Sequence, residues 1–249
     1  MSRVPENSAD MILCDLPYGT INWKTPHTWD NIIPFEEMWR QYWRIVKPNC
    51  PIVLFGNEPF STLLKHSQLR RYKYDYVWIK SKAGGFANAK VKPLKQYETI
   101  SIFSEGTTSP GRENNMPYFA QGLTEVNRIA KNSGKSRIGM TVRSNAKKEY
   151  LQQFEGYPND ILIFPLDKGW HPTQKPVGLF EHLIRTYTSE GGTVLDNCAG
   201  SGTTAIACQN TNRRWVCIEQ SEEYFTKAVD RIKMHETQNP AENDVFDFI

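Results

Sequence analysis

What this sequence has little of narrows it first. Only 5 of its 249 residues are cysteine: Cys14, Cys50, Cys198, Cys208 and Cys217. The number is odd and no two form a Cys-x-x-Cys pair, so neither a disulfide framework nor a thiolate metal site is expected. They read as reduced thiols packed in apolar strands. No apolar run approaches the ~20 residues of a membrane-spanning helix. Met1 opens no signal-peptide pattern, so the expected location is cytoplasmic, with no membrane partner. Internal repeats are absent, and charge of either sign is nearly balanced, 30 Lys and Arg against 27 Asp and Glu. What is present, 39% hydrophobic and 23% charged residues, is ordinary for a globular chain of one domain with an insertion, or two small domains.

The distribution of charge says more than its sum. Between Lys65 and Lys95 lie nine bases against Asp75 alone, interleaved with Tyr72, Tyr74, Trp78 and Phe86. Between Arg128 and Lys148 lie seven bases and no acid. Either stretch alone could be solvated surface; the two together, with their aromatic rings, point to a polyanion partner.

Short apolar runs alternate with helical patterns. Met11–Cys14, Pro51–Phe55, Tyr74–Ile79, Thr99–Phe103, Thr193–Asp196 and Arg214–Glu219 read as strands, and regular order of unassigned type returns at Ile161–Phe164. Helices are expected after Pro34, with Phe35, Met38, Trp39, Tyr42, Trp43 and Val46 inside, and after Pro176, with Leu179, Phe180, Leu183, Ile184 and Tyr187 inside. Two more should cover Gly202–Asn210 and the segment after Ser221, which buries Tyr224, Phe225, Ala228, Val229 and Ile232. This alternation implies an α/β fold with a mostly parallel sheet covered on both faces. Residues 105–160 break the pattern: they are polar, basic and without periodicity, and read as an inserted region. The chain thus divides into 1–104, 105–160, 161–235 and an acidic, disordered tail over 236–249.

The best-defined motif is "VLDNCAGSGTTAIAC". A strand ends at Asp196, Asn197 and Cys198 follow, and Gly200, Ser201 and Gly202 form a turn into a helix. Glycines there allow a tight turn and close backbone approach by a ligand. Glu219 ends the next strand about 20 residues on, where a carboxylate can take both hydroxyls of a ribose. No Gly-Lys-Ser/Thr follows the glycines, which disfavours a triphosphate loop, and the third glycine of the dinucleotide fingerprint is missing. A ligand with a ribose and no pyrophosphate remains, such as S-adenosylmethionine. Upstream, "HPTQKP" can be a polar turn before the Pro176 helix, or His171, Thr173 and Lys175 can help hold the amino-acid end of that ligand.

At the other end of the chain, "DLPYG" puts Asp15, Leu16, Pro17 and Tyr18 directly after a strand. A strand-ending turn is one reading. The other is chemical: a carboxylate and the Leu16 carbonyl can accept both hydrogens of an exocyclic amine, drawing its nitrogen toward tetrahedral geometry. Tyr18 can stack on the base, and Pro17 fixes the turn. A base inside a duplex has to be flipped out to reach such a pocket.

"DLPYG", followed far downstream by "HPTQKP" and "DNCAGSGTT", resembles the DNA amino-methyltransferases that modify N6 of adenine or N4 of cytosine. It is similar to their permuted beta group, in which the catalytic motif precedes the cofactor motif. The resemblance covers nearly all of the chain outside 105–160. It implies a Rossmann-like methyltransferase sheet, with Asp15, Leu16, Pro17 and Tyr18 catalytic. It also implies S-adenosylmethionine held by Asp196, Asn197, Cys198, Gly200, Ser201, Gly202 and Glu219, with His171, Thr173 and Lys175 flanking. Residues 105–160 fall where that family has its target-recognition region for double-stranded DNA. A second copy of the chain and a cognate restriction nuclease are further partners the resemblance allows, in a prokaryotic or phage setting. Three departures stand out: Leu16 where Pro is usual, Asn197-Cys198 where Pro-Phe is usual, and no upstream Gly-Asp edge strand ahead of Asp15. The acid at Asp15 favours N6-adenine over N4-cytosine, where Ser is commoner. A catalytically silent DNA-binding module is the rival reading.

Overall fold

Met11–Cys14 (β1) is four apolar side chains long and every one is buried, the signature of a strand covered on both faces. Its alternate residues show what covers it. Met11 and Leu13 pack into one cluster with Leu179, Phe180, Ala205 and Ile206, while Ile12 and Cys14 pack into a second with Met38, Trp39, Tyr42 and Leu64. A period of two along the strand has sent neighbouring side chains to opposite layers.

The computed structural model describes residues 1–19, 30–131, 149–167 and 174–238. After β1 come α1 (Phe35–Ile45), β2 (Ile52–Gly56), α2 (Phe60–Ser67), β3 (Tyr72–Gly84) and β4 (Lys95–Phe103). Then follow β5 (Thr124–Lys131), β6 (Glu149–Glu155), β7 (Ile161–Ile163), α3 (Val177–Tyr187), β8 (Thr193–Asp196), α4 (Thr203–Gln209), β9 (Arg214–Cys217) and α5 (Glu222–Gln238). Seven strands form one sheet in the order β7-β3-β4-β2-β1-β8-β9. Neighbours are parallel except where β4 runs against β2 and β3. The mostly parallel, helix-covered sheet expected from the sequence is therefore present.

Two neighbouring strands matter most. β1 and β8 lie side by side in parallel, with Ile12 opposite Leu195. The next helix after β8, α4, packs on one face of the sheet, and the next after β1, α1, packs on the other. Chains that leave adjacent carboxyl ends toward opposite faces open a crevice between them, the place where open α/β sheets bind ligands. Asp10 fixes the other end of the pair: its carboxylate accepts from Lys47 Nζ at 2.7 and 2.8 Å and from the Thr193 backbone N–H at 2.9 Å.

Several expectations meet a different outcome. α2 and the antiparallel hairpin β5–β6 were not legible in the sequence. A compact unit of its own spans Ala120–Asn159, whereas residues 105–119 belong with the larger unit, where Met116 is buried. α5 continues to Gln238, so 236–238 are helical, and 239–249 lie outside the described residues. The thiols are not all in strands: Cys208 sits in α4, and Cys50 and Cys198 are half-buried between elements. Among the described residues no helix is long and apolar enough to cross a membrane.

Candidate active site

The turn after β1 is held from outside its own segment. Asp30, almost fully buried, accepts from the backbone N–H groups of Tyr18 and Gly19 through one oxygen, at 3.1 and 3.0 Å. Gly19 has φ +68°, and a Cβ there would stand 2.9 Å from Ile32, so only glycine suits the position. The result is a fixed carboxylate. Tyr18 Oη donates to Asp15 Oδ1 at 2.6 Å, and Lys175 Nζ donates to Asp15 Oδ2 at 2.5 Å. Burial, reinforced by the Asp15 charge, raises the Tyr18 hydroxyl well above its usual range, so it stays a donor.

Lys175 also faces Glu98, with Nζ 3.3 Å from Oε2. Burial alone would push the Lys175 ammonium down; Asp15 and then Glu98 outweigh it and raise it above its ordinary value. Glu98 is the mirror case: burial works to raise its carboxyl, and Lys175 and Lys80 bring it below the usual range. Lys80 Nζ donates to Glu98 Oε1 and stands over the Trp78 ring. Two carboxylates and two ammoniums thus form one chain, Asp15–Lys175–Glu98–Lys80.

Across the crevice, Asp196 is buried at the end of β8. It accepts from Thr204 Oγ1 at 2.5 Å and from the Cys198 N–H at 3.0 Å. Burial pushes its carboxyl up to about 6, against the opposing pull of those hydrogen bonds. A folded-state value above the unfolded one of about 3.9 means that this group stabilises the fold fully in acid and loses that contribution as pH rises through about 6. Asp196→Asn should therefore be more stable than the parent at pH 7.5, by about 1–3 kcal/mol, with the gap closing below pH 4. Urea midpoints of both proteins across that range, without ligand, measure it; a gap independent of pH would mean that Asp196 stays ionised throughout.

The glycine turn has two glycines for two reasons. Gly200 has φ +51°, and a Cβ there would meet nothing closer than the Cys198 carbonyl at 3.9 Å, so this side is open. Gly202, with φ +76°, is needed for packing: its Cβ would press on Ile232 and Ala228 of α5, at 3.2 and 3.3 Å. Glu219 accepts from the Gly200 N–H at 2.8 Å and the Ser221 N–H at 2.9 Å. Arg231 on α5 donates to the Ser201 carbonyl at 2.9 Å. Tyr42 Oη donates to Asn197 Oδ1 at 2.6 Å.

One cavity of about 900 Å³ is lined from both sides. Asp15, Leu16, Pro17, Tyr18, Glu98 and Lys175 line it together with Asp196, Asn197, Cys198, Gly200, Ser201 and Glu219, so that groups from the β1 end form one wall and groups from the β8 and β9 ends the other. Gly202 does not line it. His171 and Thr173 lie outside the described residues, as does most of the basic stretch up to Lys148. Lys175, expected near the amino-acid end of a ligand, contacts Asp15 and Glu98. Of the bases between Lys65 and Lys95, Lys65 pairs with Asp75 and Lys80 with Glu98, whereas Lys82, Lys90 and Lys92 are exposed beside an exposed Phe86. Sequence reasoning passed over Asp30, Glu98 and Arg231. Glu98 alone carried a signal, an acid within a strand otherwise heading into the core.

Fold and cavity together define an α/β protein with a ligand-sized cavity at a sheet switch point beside a half-buried acid–aromatic pair. Residues 9–230 match the sequence profile of a family described as DNA methylase, of the N6/N4 type, and the chain belongs to that family. It is 26% identical to the type II methyltransferase M2.DpnII of Streptococcus pneumoniae, over 96% of this chain and 88% of the relative. It is also 26% identical to the DNA adenine methyltransferase YhdJ of Escherichia coli K12, over 93% and 79%. Among solved structures, the M1.HpyAVI–SAM complex aligns with TM-score 0.56 at 24% identity, covering 90% of this chain and 89% of that one. A putative DNA modification methylase of Thermus thermophilus, complexed with S-adenosyl-L-methionine, aligns with TM-score 0.58 at 18% identity, covering 99% and 95%. These structural likenesses establish the fold.

Proposed function

We propose that this chain transfers a methyl group from S-adenosylmethionine to the N6 amine of an adenine flipped out of double-stranded DNA, within a specific sequence. One observation carries the reading: the Asp15–Tyr18 turn and the Asp196–Ser201 and Glu219 groups, far apart in sequence, line a single cavity. Membership of the DNA methylase family supports the reaction. Relatives in complex with the methyl donor support the cofactor, and an adenine methyltransferase among the relatives supports the base.

The residues present fit that cofactor. Glu219 presents a carboxylate held by two N–H groups, suited to vicinal hydroxyls, and Gly200 leaves open space where a side chain would intrude. The cofactor supplies a methyl group on a positively charged sulfur, ready for in-line attack. Asp15 and the Leu16 carbonyl accept the hydrogens of the target amine and localise its lone pair, and Tyr18 offers its ring to the base. Catalysis then rests on positioning and on negative charge where the amine nitrogen becomes positive. Exposed Lys82, Lys90 and Lys92 would meet phosphates, and the separate unit Ala120–Asn159 would read the sequence. A cognate nuclease and a second copy of the chain are the proposed partners, in the cytoplasm of a prokaryote.

The test is tritiated methyl transfer to unmethylated DNA followed by nucleoside analysis, with label expected in N6-methyladenine. Label in N4-methylcytosine would overturn the base, and label confined to RNA or protein the substrate. Calorimetry with the methyl donor separates the enzyme from a silent DNA-binding module, which would retain DNA affinity and bind no donor.

A further inference from the structure

Both oxygens of Asp15 accept a hydrogen bond from the protein itself, Oδ1 from Tyr18 and Oδ2 from Lys175. A few ångströms away, Glu98 Oε2 is buried and accepts none among the described residues. The Lys175 ammonium is an ion-pair neighbour of that oxygen at 3.3 Å, without hydrogen-bond geometry. A carboxylate oxygen withdrawn from water and left without a hydrogen bond is costly even beside a cation, and one donor lies close enough to relieve it. Closing the gap by about 0.5 Å would reach the ordinary length of a charge-assisted bond.

We propose that Glu98 is a positioning residue that takes Lys175 away from Asp15 when the target amine arrives. In the open arrangement Lys175 holds the Asp15 carboxylate in place through Oδ2. On entry of the amine, Lys175 Nζ passes its hydrogen bond from Asp15 Oδ2 to Glu98 Oε2, and the released oxygen accepts an amine hydrogen. No bond other than hydrogen bonds changes and no proton is transferred. Two features suit this exchange. Glu98 itself is anchored, because its other oxygen is held by Lys80, which also lies over the Trp78 ring. The ammonium moves between two anions beside aromatic surfaces, 5.3 Å from the Phe55 ring centre and 5.9 Å from that of Tyr18, which attract a cation throughout.

This inference rests on Asp15 receiving the amine, so wild-type transfer to DNA is the control. Absence of wild-type transfer falls on the proposed function, and the variants are compared only where the wild-type enzyme works. Glu98→Gln keeps the shape and removes the anion that draws Lys175 off; kcat should fall about 10- to 100-fold. The methyl donor's Kd and the KM for DNA should stay within about threefold. Adding Lys175→Met removes the cation left on Asp15, so the double variant should be about tenfold faster than Glu98→Gln alone. A merely structural Glu98 would make the second loss add to the first. Wild-type kcat in Glu98→Gln, or a double variant no faster than the single, overturns the exchange. If Glu98→Gln does not fold, Glu98→Asp decides, since it keeps the charge but withdraws it from Lys175. A slowed, folded Glu98→Asp that Lys175→Met accelerates supports the exchange, and one with full kcat overturns it.

Discussion

Asp15→Asn should lower single-turnover methyl transfer by at least about 1,000-fold while changing the methyl donor's Kd by less than about threefold. The size of the loss follows from what each Asp15 oxygen touches. Both are acceptors, facing the Tyr18 hydroxyl and the Lys175 ammonium. An amide offers one acceptor and one NH2: turned one way it sets donor against the Lys175 ammonium, and turned the other it makes the Tyr18 hydroxyl give up donating and accept instead. The variant also takes away the negative charge that should face the amine nitrogen as it becomes cationic, where a fixed electrostatic partner has its greatest effect on rate. Retained cofactor binding follows from the other wall: Asp196 and Glu219 take their hydrogen bonds from Thr204, Cys198, Gly200 and Ser221, a different set from the Tyr18 and Lys175 that hold Asp15. Rapid-quench tritium transfer and calorimetry on one preparation read both quantities. A residual rate above a tenth of wild type, or a parallel loss of cofactor affinity, would mean that Asp15 supports the fold or the ligand and not the amine.

Much of this was legible because it is local or periodic. The apolar run of β1 ends sharply at Asp15, the strand-Asp-Gly-x-Gly-helix series is contiguous, and the helix over Val177–Tyr187 buries the five apolar residues its spacing predicts. What stayed hidden is the work of residues that act on a distant part of the chain. Asp30 ties two backbone N–H groups of the catalytic turn, and Arg231 reaches back 30 residues to the Ser201 carbonyl. Neither position is distinguishable in sequence from an ordinary surface charge, since only folding brings it to its partner. The β5–β6 hairpin escaped notice for a different reason. Thr124–Lys131 and Glu149–Glu155 are mostly exposed on both faces, so no alternation of apolar and polar residues marks them as strands. Gly202 makes the turn with φ +76°, as its place in the motif implies, but its missing side chain also makes room for α5, and Gly200 is the glycine that faces the cavity.

Glu219→Ala should weaken the methyl donor about 100-fold or more, with kcat at saturating donor changed by less than about threefold. In the proposed complex the carboxylate takes two ribose hydroxyls, and hydrogen bonds to a charged group contribute about 1.5–3 kcal/mol each. The same carboxylate orders the glycine turn through the Gly200 N–H and holds the Ser221 N–H at the head of α5. A loss of affinity alone therefore does not distinguish a ribose contact from a loosened loop. The ligand can. Adenosine and 2′,3′-dideoxyadenosine differ only in the hydroxyls, so wild type should prefer adenosine strongly and Glu219→Ala should bind the two alike. Glu219→Gln should fall between, because its amide retains one acceptor and sets an N–H against one of its present donors. Were Glu219 only a brace for the turn, all three proteins would discriminate between the nucleosides to the same degree, and the ribose would have to be held by some other group in the cavity.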